Sequence, residues 1–300
     1  MQENAPPKIK LWLMAIRPKT LPAAVGPVAV GSAVAFADEM FSFLAAFCCL
    51  LGAVLLQIGV NLANDYFDCL HNIDSKERLG PVRVTQSGLI PADAVKRGMI
   101  LCLFLAALVF CCLALIGGMP IVIIGAASVV AALAYSGGPY PLASNGLGEL
   151  FVFIFFGLVA VGGTYYIQAG QITGVALLAA VPPGLLITAI MVVNNCRDID
   201  TDRKAGKNTL AVIVGRTKTI MGYKLLLLMS YCIPPAMLLT GVAGVIILLP
   251  LLTLPMAWLL ARQMEPTKGS ALNELLAGTA RLSLVYSLLF AVGLASGVGG

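Results

Sequence analysis

Two polar stretches, each following an apolar run, carry the residue types that could do chemistry. They read "GVNLANDYFDCLHNID", Gly59 to Asp74, and "VVNNCRDIDTDRKAGKNT", Val192 to Thr209. Residues four apart on a helix share a face. That spacing pairs Asn61 with Asp65 and Asn64 with Asp68, and it stacks Asn194, Asp198 and Asp202 in one NxxxDxxxD ladder. Carboxylate and amide oxygens on one face suit a hard cation. Mg2+ takes one or two carboxylates and completes its shell with water and substrate phosphates. Two facing clusters of this kind could clamp a diphosphate between them. Arg83, Arg197, Arg203, Lys204 and Lys207 lie close enough in sequence to neutralise phosphate oxygens. Two plainer readings stand beside this one. The charges could be solvated loop residues, which is how Asp200, Lys76, Glu77 and Arg78 read. They could also mark a cation route, although no Asp, Glu, Lys or Arg lies well inside an apolar run. Matched Asn–Asp spacing in both stretches favours the metal–diphosphate chemistry.

The elements that must position these residues follow from composition. Of 300 residues, 59% are hydrophobic and only 11% are charged, with a mean hydropathy of +0.95. Soluble domains are nearer a quarter charged. Apolar runs of about twenty residues recur without strict alternation, which predicts membrane-spanning helices rather than a barrel. Cys48, Cys49, Cys102, Cys111, Cys112 and Cys232 lie in apolar runs, where cysteine acts as a small hydrophobe, and no CxxC occurs. His71 is the one histidine, which excludes a multi-histidine metal site. The opening "MQENAPPKIKLWLMAIRPKT" has charge on both sides of a short apolar piece and no cleavage pattern. It reads as an interfacial segment over residues 1–20, amphipathic from Ile9 to Ile16.

The expected spans are Leu21–Ala37, Phe41–Leu62, Gly98–Ile116, Met119–Tyr135, Leu150–Gln168, Thr173–Val193, Gly222–Thr240, Gly244–Leu260 and Gly278–Val298. With these nine, all 19 Lys and Arg residues fall on one side. The positive-inside rule makes that side cytoplasmic. The sequence therefore predicts an all-α integral membrane protein with nine transmembrane helices and a cytoplasmic N-terminus, forming one domain over residues 1–300. Both acidic stretches sit at cytoplasmic ends, four spans apart, which suggests two related four-helix halves plus a ninth helix.

At these residues the sequence resembles the UbiA-type intramembrane aromatic prenyltransferases. "NDYFDCLHNID" looks like that superfamily's NDxxDxxxD region, and "DIDTD" looks like its DxxxD. The agreement is strongest with the branch acting on 1,4-dihydroxy-2-naphthoate. "AIRPKTLPAAVGPVAVG", "GPVRVTQSGLI", "YSGGPYPLASNGLGELFVFIFFG" and "NNCRDIDTDRKAGKNTLAV" all match it. The likeness runs from Trp12 to about Lys224 and fades over the last three helices. One departure lies in the first motif. The third aspartate is expected where Asn72 stands, and Asp74 is the candidate to replace it.

The resemblance implies a magnesium-dependent enzyme. A polyprenyl diphosphate is ionised, and the allylic cation is captured by 1,4-dihydroxy-2-naphthoate. The ring carboxylate leaves as carbon dioxide, giving demethylmenaquinone for menaquinone biosynthesis. Asp65, Asp68, Asp198 and Asp202 are the expected catalytic carboxylates. Asn64, Asp65, Asp68, Asp74, Asn194, Asp198 and Asp202 are the expected Mg2+ ligands. Arg17, Asn61, Arg83, Tyr135, Asn195, Arg197 and Lys207 are the expected substrate contacts. Arg17 is the candidate counter-ion for the acceptor carboxylate, against a bland reading as a topological anchor. Tyr66, Tyr135 and Tyr140 could stabilise an allylic cation through their ring faces, against the alternative of interfacial anchoring. The uncharged "YSGGPYP" could cap the site. The expected setting is the inner or plasma membrane with the site facing the cytoplasm; nucleic acid is not among the expected partners. Another aromatic acceptor, or a cation or lipid-phosphate transporter, remains open at this point.

Overall fold

The computed structural model describes residues 7–70 and 79–297. No β-strand occurs among these residues. Helix α1 (Lys8–Ile16) ends at Arg17, whose backbone is left-handed at φ 56° and ψ 69°. Pro18 and Pro22 lack the N–H groups needed to extend α1, and each instead starts a new helical stretch. The chain bends by 46° here before α2 (Pro22–Ala37). Then come α3 (Phe43–Leu70), α4 (Ala92–Gly117), α5 (Met119–Ala134), α6 (Gly148–Ala169), α7 (Gly174–Lys204), α8 (Arg216–Leu239), α9 (Val245–Gln263) and α10 (Gly269–Ala295).

Among the described residues, seven helices are long and apolar enough to cross a bilayer, or eight if the bent pair α1–α2 is one span. α5 has only 16 residues. Their outward faces are apolar: Phe43, Leu115 and Leu239 are 77%, 89% and 86% exposed, a surface suited to lipid rather than water.

Two helices run well past the expected span ends. α3 has 28 residues and α7 has 31, about 42 and 46 Å at 1.5 Å per residue. A bilayer core is about 30 Å thick. The surplus turns are those that carry Asn64, Asp65 and Asp68 on α3 and Asn194, Asp198 and Asp202 on α7. Asn64, Asp65 and Asp68, like Asn194, Asp198 and Asp202, are thus helical, and they lie at the polar end of the bundle.

Two irregularities shape the interior. In α6, residues Phe153–Val159 form a π-helix, whose wider turn lets neighbouring Phe155 and Phe156 both face the central cavity. Across from it, α7 contains Pro182 and Pro183. Gly157 and Gly184 let the two backbones touch, since a Cβ on Gly184 would lie 2.9 Å from Gly157 Cα.

α3 packs on α4, α2 on α10 and the second half of α6, and α7 on α8 and α10. Two buried tyrosine hydroxyls between the last helices are satisfied: Tyr223 Oη pairs with Thr279 Oγ1 at 2.9 Å, and Tyr286 Oη donates to the Ser230 carbonyl at 2.6 Å. All eight cysteines are free thiols.

Candidate active site

The helices enclose a cavity of about 790 Å3. One end is polar, lined by Arg17, Asn64, Asp68, Arg83, Asn194, Arg197, Asp198, Asp202 and Lys207. From there it runs between the helices to an apolar floor at Cys49, Leu113, Ile121 and Ile167. Cys49 lies about 28 Å back along α3 from Asp68 at the usual helical rise, so the cavity is about as deep as a bilayer core.

The two acidic faces meet across the polar end, each with its own arginine. Asp68 Oδ2 accepts from Arg83 Nη2 at 2.5 Å, and both side chains are more than nine-tenths buried. Lys207 Nζ lies 3.5 Å from Asp68 Oδ1. On α7, Arg197 donates from Nε to Asp198 Oδ1 at 2.8 Å and from Nη2 to Asp198 Oδ2 at 2.5 Å. It also donates to Asn194 Oδ1 at 2.9 Å and to Asn273 Oδ1 at 2.6 Å. Those four bonds engage most of a guanidinium's five donors. Arg197 is therefore first an organiser of the carboxylate face. Asn273 also donates to the Leu79 carbonyl at 2.9 Å, tying α10 to the loop after α3. A Cβ at Gly80 would sit 2.8 Å from Arg197 Nη2, so a side chain there would displace the guanidinium from this arrangement.

A hard cation fits this donor set. Asn64 Oδ1 is buried without a hydrogen-bond partner, a costly state unless a ligand completes it. Asn64 and Asp68 on α3 face Asn194, Asp198 and Asp202 on α7, all oxygen donors on the cavity wall. Among the described residues no group of three or more His, Cys, Asp or Glu side chains forms a metal cage. The set matches a cation that completes its shell with substrate phosphates and water.

Several expectations change. Asp65 does not line the cavity. It is 2% exposed, and its carboxylate accepts from the backbone N–H of Val84 at 3.2 Å and of Thr85 at 3.3 Å. It pins the loop that carries Arg83, because its position on α3 points it to that loop and away from the Asn64–Asp68 face. Asn61 does reach the cavity wall, but its amide nitrogen is used in packing. It donates to the Ile16 carbonyl at 2.7 Å and to Thr20 Oγ1 at 2.9 Å. Those bonds, with Gln57 Nε2 to Thr20 Oγ1 at 3.3 Å, hold the bend at Arg17 against α3. Tyr135 lines the cavity and its hydroxyl donates to Met191 Sδ at 3.4 Å. Tyr66 and Tyr140 do not line it. Tyr66 packs on Phe67 and under Lys96, and Tyr140 is 59% exposed. Arg203 and Lys204 are exposed and away from the cavity. Asp74, with His71, Asn72, Lys76, Glu77 and Arg78, lies outside the described residues.

Sequence reading missed Glu149, which is 8% exposed and accepts from Asn195 Nδ2 at 2.8 Å. Its signal was an acidic residue opening an apolar run, "GELFVF". It also missed Asn273, which has no sequence signal and is placed only by α10 packing beside α7.

One helical bundle thus sets two carboxylate–amide faces over an apolar shaft. The UbiA prenyltransferase family model matches residues 24–296, and the chain belongs to that family. It is a multi-pass membrane protein. The chain is 37% identical to the 1,4-dihydroxy-2-naphthoate octaprenyltransferase of Escherichia coli (strain K12), over 98% of both chains. It is 38% identical to the same-named protein of Mycobacterium tuberculosis, over 95% of this chain and 97% of the other. In fold it is similar to a UbiA homolog from Archaeoglobus fulgidus bound to GPP and Mg2+. That match has a TM-score of 0.70 and 16% identity, covering 95% of this chain and 99% of the other.

Proposed function

We propose that this enzyme transfers a polyprenyl group from polyprenyl diphosphate to 1,4-dihydroxy-2-naphthoate with loss of carbon dioxide, in menaquinone biosynthesis. The observation that carries the reading is the union of two features in one cavity: facing Asn–Asp surfaces at the polar end and an apolar shaft reaching Ile121 and Ile167. Relatives that are more than a third identical over almost the whole chain are named 1,4-dihydroxy-2-naphthoate octaprenyltransferases.

At the polar end Asp68, Asp198 and Asp202 stand with Arg17, Arg83, Arg197 and Lys207. Arg83 and Lys207, both beside Asp68, would meet the oxygens of a diphosphate bound at this end. Asn64, Asp68, Asn194, Asp198 and Asp202 would hold Mg2+. When bound, Mg2+ supplies Lewis-acid stabilisation of the charge that grows on the departing diphosphate. Arg83 and Lys207 stabilise the same developing charge from fixed positions. The bond from the allylic carbon to diphosphate oxygen breaks, and its electron pair leaves with the diphosphate. The ring carbon bearing the carboxylate bonds to that allylic carbon. Carbon dioxide then departs and returns its electron pair to the ring, leaving the prenylated naphthalenediol, the reduced form of demethylmenaquinone. Arg17 holds the acceptor carboxylate before the reaction, and the apolar walls keep water from the cation. Phe110, Tyr135, Phe151, Phe155 and Phe156 are the aromatic side chains of the cavity wall.

Nine crossings of one membrane domain suit this chain. The seven long helices, the bent α1–α2 pair and the short α5 make up the number. An N-terminus in the cytoplasm, with the site facing it across the inner or plasma membrane, follows from the basic residues gathered at one end. Purified protein given Mg2+, dihydroxynaphthoate and a polyprenyl diphosphate should yield the decarboxylated, prenylated ring by mass spectrometry. Product from 4-hydroxybenzoate or homogentisate and none from the naphthoate would overturn the acceptor assignment.

A further inference from the structure

Two buried polar groups, one on the cavity wall and one behind it, are left incomplete. Ser136 lines the cavity, is 7% exposed, and its Oγ has no hydrogen-bond partner. Glu149 is 8% exposed, and its Oε2 likewise has none. The other oxygen, Oε1, accepts from the amide nitrogen of Asn195, which lines the cavity. Tyr135, which precedes Ser136, lines the cavity, and its hydroxyl lies beside Gly148, the residue before Glu149. No ion pair to Glu149 is present among the described residues. A buried carboxylate oxygen or hydroxyl without a partner is costly, so this corner stabilises the fold poorly as it stands.

The chemistry of the corner selects its ligand. A diphosphate brings only acceptor oxygens and negative charge, which suits Arg83 and Lys207 and not a carboxylate. An aromatic diol brings two hydroxyl donors. With its Nδ2 held by Glu149, Asn195 has its carbonyl oxygen left to accept one of them. Ser136 Oγ can accept the other.

We propose that Ser136 and the Glu149–Asn195 pair orient the aromatic acceptor through its ring hydroxyls. Ser136 and Asn195 touch the ring oxygens. Glu149, which does not itself line the cavity, is a positioning residue that sets the Asn195 amide. The inference rests on the acceptor being a dihydroxylated aromatic acid, and it places the ring between this corner and Arg17.

The test uses the purified full chain with Mg2+, a polyprenyl diphosphate and dihydroxynaphthoate, in S136A, E149A and E149Q. Besides both Michaelis constants, it reads how the prenyl group divides between ring and water. Water capture of the allylic cation, with loss of a proton, gives the polyprenol. S136A and E149A should raise the acceptor KM about tenfold, the size of one buried hydrogen bond. They should leave the prenyl diphosphate KM unchanged and shift the division toward polyprenol. E149Q should recover most of the loss, because its amide oxygen still accepts from Asn195. The preference of the wild type for the diol over a monohydroxy naphthoate should shrink in S136A. Unchanged acceptor KM, product division and diol preference would overturn the proposal. Equal losses toward both substrates in all variants would overturn it too, by showing a purely structural role. If the wild type makes no prenylated ring at all, the functional reading fails instead.

Discussion

Lys207 Nζ lies 3.5 Å from Asp68 Oδ1, joining the loop after α7 to the last turns of α3. The Lys207 backbone is fixed by its N–H bond to the Asp202 carbonyl at 2.9 Å, and the next residue, Asn208, donates to the Ser144 carbonyl at 2.8 Å. A cation is thus held over the seam between the two acidic faces. Lys207→Met should raise the KM for prenyl diphosphate about tenfold, in line with a charge-assisted hydrogen bond, and leave the acceptor KM nearly unchanged. Steady-state kinetics with each substrate varied in turn checks this; a larger effect on the acceptor contradicts it.

Chelation should abolish turnover. Asp68, Asp198 and Asp202 cannot face an anionic diphosphate without a cation between them. Activity should return on adding Mg2+ beyond the chelator, and full turnover in excess EDTA would remove the metal from the mechanism.

Asp68→Ala and Asp198→Ala should each lower kcat at least about a hundredfold, as expected when a group that organises transition-state charge is removed. Asp200→Ala should stay near wild type, because Asp200 is exposed and off the 194/198/202 face. Comparable losses at Asp198 and Asp200 would contradict the helical ladder.

Asp65→Ala should behave differently from Asp68→Ala. Losing the acceptor for the Val84 and Thr85 N–H groups frees the loop that presents Arg83. Stability should fall by about 1–3 kcal/mol, the cost of stranding buried donors, and the KM for prenyl diphosphate should rise. The Mg2+ concentration giving half-maximal rate should not move. A large shift in that concentration would return Asp65 to the metal.

Arg17 separates backbone from side chain. Its φ of 56° is strained by roughly 1 kcal/mol for any residue but glycine. Arg17→Gly should therefore melt above Arg17→Ala, which loses the same side chain but keeps the strain, while in both the KM for the aromatic acid rises about tenfold or more. A rise confined to the prenyl diphosphate would place Arg17 with the phosphates.

The legible part of this protein was whatever depends on period and composition. Apolar runs show where helices cross, and fourfold spacing shows that Asn64 shares a face with Asp68, and Asn194 with Asp198 and Asp202. Those relations are local, so a linear string contains them. The division between Asp65 and Asp68 is not local. Both are aspartates in one motif, yet Asp68 meets Arg83 and the cavity while Asp65 meets the backbone of Val84 and Thr85. Which of them sees the site depends on how α3 is rotated against a loop that returns only after packing. The same holds for Glu149, whose sequence neighbours are apolar and whose partner, Asn195, comes from a helix far along the chain. Asn273 joins Arg197 for the same reason. Helix faces follow from spacing alone, whereas the partner of each face is set by long-range packing that no short stretch encodes.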